Sequence, residues 1–207
     1  MRVRWTTGLP AIVLAVVTAG CGVAPGAAGP GASDAGSAGA ESAGSESAGG
    51  ATPADVAGPA RETAVYAALL RHHLTGWQIG GPSPRAVYVV ENAVPDAADP
   101  MRQLDARDGV PIGAQVRQEL AAQLTDLGPM SFVPDARAVI TEDHGCPTVP
   151  GDGAVLTLAP VPAGGDRLEI GLADFRACLN ASWQTYVVVR AASGWLVEGT
   201  TGQVAVA

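Results

Sequence analysis

The chain has 207 residues, room for one domain of ordinary size plus additional segments, and its 12 basic and 20 acidic residues give a net charge of −8. All 12 basic residues are Arg, so the chain has no P-loop Gly-Lys-Ser/Thr, no Schiff-base lysine and no Ser-x-x-Lys acylation site. A chain this acidic is also a poor partner for nucleic acid, because neutralising phosphate drives that binding.

Arg2 and Arg4 begin the chain, Leu9 to Val17 is an apolar run, and Thr18-Ala19-Gly20 supplies small residues before Cys21. This is the three-part layout of a secretory signal. The apolar run is too short to span a hydrocarbon core of ~30 Å, which takes about 20 residues. Cys21 directly after Ala19-Gly20 resembles a bacterial lipoprotein signal, although Thr18 stands where that pattern has an aliphatic residue. The resemblance implies cleavage after Gly20, lipid on Cys21 and an extracytoplasmic position on the cell membrane. An ordinary signal peptide cut nearby, with Cys21 an incidental thiol, is the alternative. The Arg, Ala, Gly and Pro bias fits a GC-rich, actinobacterial genome. Losing Arg2 and Arg4 with a leader of residues 1–20 takes the charge from −8 to −10. Attraction to anionic lipid is then weak, and acyl chains at ~0.8 kcal/mol per buried methylene must do the anchoring.

Residues 21–60 follow as a tether of Gly, Ala, Ser and Pro with no aromatic residue, Leu or Ile. It has too little apolar surface to offset the entropy of ordering, so disorder is expected. Random-coil scaling gives it a reach of about 35 Å.

Residues 61–207 read as a single α+β domain. Pro59 and Glu62 suit a helix start, and Val65, Tyr66, Leu69 and Leu70 form a stripe running to about His73. Arg85 to Glu91 reads as a central strand, followed by a long connection from Asn92 to Pro111. Ile112, Val116, Leu120 and Leu124 recur every four residues and predict a second helix ending near Gly128-Pro129. Short strands are expected at 130–133 and 136–141, a loop at 142–153, and then an antiparallel meander over 154–159, 167–175, 182–190, 195–198 and 203–206. Two helices followed by a run of strands predict helices packed on one face of an antiparallel sheet. Tyr186-Val187-Val188-Val189-Arg190 with Gly194-Trp195-Leu196-Val197 resembles the closing hairpin of cystatin-like or NTF2-like folds over about 15 residues.

Cys21, Cys146 and Cys178 are the only cysteines. An odd count in an exported chain needs an explanation. If Cys21 carries lipid, Cys146 and Cys178 are left to pair in an oxidising compartment. The bond closes a loop of about 32 residues and contributes ~3.5–4 kcal/mol in the chain-entropy account. A metal site of Cys146, Cys178, His144 and Glu142 or Asp143 is the rival reading, without the usual Cys-x-x-Cys spacing. No cofactor motif is present.

Other candidates are weaker. His72 and His73 close the first helix, where a charge–dipole contact accounts for them. His144 beside Glu142 and Asp143 offers an acid–base group or a solvated loop. Asp96, Asp99, Asp105 and Asp108 offer a Ca²⁺ site or a solvated loop, without EF-hand spacing. Trp77, Trp183 and Trp195 suit the core, its rim or an aromatic platform. Asn180-Ala181-Ser182 fits the N-glycosylation pattern. The favoured expectation is a lipid-anchored module that binds a protein or small-molecule partner without chemistry. A cell-envelope enzyme using the His144 loop and an assembly subunit of an envelope complex are the alternatives.

Overall fold

A computed structural model describes residues 57–76, 83–102 and 109–207. The leader, Cys21, nearly all of the tether, Trp77, Asp105 and Asp108 therefore lie outside the described residues. Every described residue belongs to one compact unit.

Helix α1 runs Pro59–Gly76, opened by Pro59 with Glu62 in its first turn. Pro at the first helical position forfeits no hydrogen bond, and an acid there complements the helix dipole. Val65, Tyr66, Leu69, Leu70 and Leu74 form its buried stripe. Tyr66 donates its O–H to the carbonyl of Ala159 at 2.9 Å. Burial, and next the charge of Glu62, raise the Tyr66 pKa well above the usual phenol range, and burial also raises that of Glu62.

Strand β1, Ala86–Val90, is central as expected. It lies between β4 (Met130–Val133) and β7 (Gly153–Leu158) and is parallel to both. Its alternate side chains enter two separate clusters: Val87 and Val89 one, Tyr88 and Val90 the other. Burial on both faces explains its nearly unbroken apolar sequence. The connection after β1 holds a small antiparallel ladder of β2 (Asn92–Ala93) and β3 (Val110–Pro111).

Helix α2 covers only Ala114–Gln123. Of the four-residue series that predicts it, Val116 and Leu120 lie in the helix, while Ile112 and Leu124 flank it and are buried all the same. A 3-10 turn, Thr125–Leu127, and Gly128 at φ +105° finish the segment.

The strand expected at 136–141 is instead a 3-10 turn, Ala136–Ala138. Asp135 caps it, its carboxylate accepting from the Arg137 N–H at 2.8 Å. The loop expected at 142–153 is largely a hairpin of β5 (Thr141–Asp143) and β6 (Cys146–Thr148). Its turn is His144-Gly145, both at positive φ (51° and 79°), which matches the right-handed twist of the flanking strands.

Strands β8 (Arg167–Ala177), β9 (Asn180–Ala191) and β10 (Gly194–Val206) complete the sheet. The two final strands expected at 195–198 and 203–206 are one strand, interrupted in register between Val197 and Gly199 and between Thr201 and Ala205. The order is β10-β9-β8-β7-β1-β4, with β5 and β6 joined on through β8.

The fold is mixed α+β, and the expectation of an antiparallel sheet is corrected for one half of it. Strands β7 to β10 are antiparallel, whereas β4, β1 and β7 run parallel. The segment between β1 and β4 contains a helix, and a helical crossover returns the chain in its original direction. The larger cluster joins Leu69 and Leu70 of α1 and Val116 and Leu120 of α2 to Leu156, Leu172 and Val188 of the sheet. The smaller cluster holds Val90, Val133, Val149 and Val155 with Phe175 against it.

Candidate functional site

Along β8, Leu168, Ile170 and Leu172 are buried at every second position, and Asp174 and Arg176 continue the same parity, also buried. On β9 the residues opposite are Ser182, Gln184 and Tyr186, in register with Asp174, Leu172 and Ile170. The inward stripe of the sheet thus changes from apolar to polar towards one end. The last turn of α1 brings His73 to that end.

His73 is held at both ring nitrogens. Its Nε2 lies 3.0 Å from an Asp174 carboxylate oxygen and its Nδ1 lies 2.8 Å from the Tyr186 hydroxyl. The Gln184 amide nitrogen approaches Nδ1 at 3.5 Å. In the neutral ring the acceptor-only carboxylate places the proton on Nε2, and Nδ1 accepts from the Tyr186 O–H. The Arg176 Nη2 donates to Asp174 at 3.2 Å, closing an ion pair in which Asp174 is 1% exposed. Burial, and next the charge of Asp174, raise the Tyr186 pKa far above the usual phenol range, so its proton stays in place. The Ser182 Oγ is buried without a hydrogen-bond partner.

Arg176 connects this network to the surface. It lies in the wall of a hollow of about 550 Å³, with Thr141, Asp143, Thr148, Asp152 and Asn180 among the other lining residues. One wall is the β5–β6 hairpin. Cys146 on β6 is bonded to Cys178 in the turn between β8 and β9, with Cα atoms 5.5 Å apart, within the ordinary disulfide range. The expected pairing is therefore present, and both sulfurs are committed to each other. That removes the rival metal set built on Cys146, Cys178 and His144.

His144 sits at the hairpin tip, its side chain 96% exposed and its Nε2 3.6 Å from Asp143. That separation exceeds the hydrogen-bond reach an acid–base pair needs, and no cleft encloses it. Its place is accounted for by the turn. Asp96 and Asp99 do come together with Glu169, around a hollow of about 410 Å³. Among the described residues no group of three or more His, Cys, Asp or Glu is arranged to hold a metal ion. Trp183 is buried at 7% exposure. Trp195 is partly buried with the Arg61 guanidinium 4.7 Å from its ring centre and that of Arg190 at 6.0 Å. Asn180 opens β9, and the Ser182 of its glycosylation pattern is buried.

His72 remains at the surface, its ring edge-on to Tyr186 at 5.8 Å, whereas His73 is a buried strut and not a dipole partner facing solvent. Asp174, Arg176 and Gln184 had no motif to mark them. Their signal is the parity of β8 and β9, which places charges and an amide where Leu168, Ile170 and Leu172 predict apolar residues.

No protein-family model matches the sequence, nor does any curated protein or solved structure.

Proposed function

We propose that the protein is a lipid-anchored, extracytoplasmic binding module. In this reading a leader of residues 1–20 is removed, Cys21 carries the lipid, and the segment that follows tethers a domain that begins at Ala57, packed in the core just before α1, and whose hollow beside the Cys146–Cys178 bond receives a ligand. The paired cysteines support export into an oxidising compartment. No helix among the described residues is long and apolar enough to cross a membrane, which is compatible with a lipid anchor. The core shared by α1, α2 and one side of the sheet supports both helices packing on one face. The likeness to cystatin-like or NTF2-like folds rests on the closing hairpin alone.

The observation that carries the binding reading is the hollow itself. Arg176, Asn180, Asp143, Asp152, Thr141 and Thr148 line one concave surface, a mixture of charged and polar residues suited to a polar ligand. Catalysis is less well supported, because His144 stands exposed and both ring nitrogens of His73 are already engaged. Exposed Thr141 offers a test that leaves the core alone. The full chain in detergent is screened by thermal shift against neutral oligosaccharides and short peptides of the cell envelope. Any compound that raises the melting temperature of the wild type should lose that effect in Thr141→Trp, which fills the hollow. Binding that survives Thr141→Trp, or no binder in either class, contradicts the reading.

A further inference from the structure

We infer that the Cys146–Cys178 bond fastens the hairpin that walls the hollow, so that a dithiol opens the hollow while the rest of the sheet stays assembled. The ladder between the hairpin and the sheet is one residue pair deep, Thr148 with Ala177. The Val149 N–H and the Thr148 hydroxyl both donate to the Arg176 carbonyl, at 2.8 and 3.4 Å. All three contacts lie at the foot of the hairpin. Thr141 to Gly145 are exposed, and no hairpin residue belongs to either apolar cluster. Beyond its foot the hairpin is fastened by the disulfide.

Cys146 and Cys178 are each partly exposed, and Leu179, which shares the turn with Cys178, is 88% exposed. The step is a two-electron thiol–disulfide exchange: the Cys146–Cys178 S–S bond and the two S–H bonds of a dithiol become two cysteine thiols and the disulfide of the dithiol. Released, the hairpin swings from the wall that holds Thr141 and Asp143 over Arg176, and the outer end of the buried Arg176–Asp174–His73 network meets solvent. Regulation of ligand binding by this route rests on the binding reading above; the opening itself does not.

The test is hydrogen–deuterium exchange of the full chain with and without dithiothreitol, beside the Cys146→Ser/Cys178→Ser double variant without it. Amides of residues 141–146 should exchange about tenfold faster or more on reduction and in the variant, as expected of a locally opening segment, with β7 and β9 keeping their protection. Arg176 should become reactive to phenylglyoxal, with exposed Arg85 and Arg190 reacting alike in both states. Unchanged protection of 141–146, or an Arg176 that stays unreactive, overturns the inference. So does loss of protection throughout β7–β9, which would assign the bond to the fold. A hairpin that opens in a protein for which no ligand is found leaves the inference standing and removes only the binding reading.

Discussion

Asp174→Ala destabilises the domain by about 3–5 kcal/mol, the cost of breaking a buried ion pair from one side. The carboxylate meets two partners at once, the Arg176 guanidinium and the His73 Nε2. Its removal leaves a guanidinium only 9% exposed without its carboxylate partner, and the fully buried His73 ring without the acceptor for its Nε2. The shift in melting temperature is on the order of 10 °C for a domain of this size. Urea denaturation of the full chain measures it directly. Adding Arg176→Ala to Asp174→Ala should cost less than the sum of the two single changes, because the second substitution removes the orphaned charge. Additive losses, or a single substitution costing under about 1 kcal/mol, would show that the network does not hold α1 to the sheet.

Loss of the disulfide comes next in size. Cys146 and Cys178 are 32 positions apart, and releasing that loop in the unfolded chain lowers stability by ~3.5–4 kcal/mol in the chain-entropy account. Domains of this kind have ~5–15 kcal/mol in all. The Cys146→Ser/Cys178→Ser variant should therefore stay folded with a lower urea midpoint. Reductant should bring the wild type to the same midpoint and leave the variant where it is. A midpoint unaffected by either treatment contradicts the pairing.

The parts of the fold that could be read from the sequence are those in which one periodicity decides the outcome. Val65, Tyr66, Leu69 and Leu70 can share a buried face only in a helix, and α1 is where they predict it. The alternation at Leu168, Ile170 and Leu172 likewise places β8. Strand direction is not encoded locally. Nothing in Ala86–Val90 tells a strand with two parallel neighbours from one with antiparallel neighbours, because the direction follows from the long connections on either side. The stretch 136–141 misleads because Val139 and Ile140 read as a strand, whereas the Asp135 cap turns the backbone first.

The site was legible at its rim and hidden at its centre. Counting cysteines is enough to suggest the Cys146–Cys178 pair. The Asp174–His73–Tyr186 contacts join residues 101 and 113 positions apart, and no spacing rule spans that distance. His144 drew attention through its acidic neighbours, Glu142 and Asp143. In the structure those neighbours belong to a two-strand turn whose geometry, and not its chemistry, explains the residue.

The three cysteines are expected to meet two different fates, and intact-mass analysis of the protein extracted from its native membranes reads both. The expected species is a chain that begins at Cys21, carries the added mass of acyl chains there, and gains two hydrogens on reduction as Cys146 and Cys178 separate. A chain that retains residues 1–20, a Cys21 with a bare thiol, or a mass that reductant does not change would contradict that expectation.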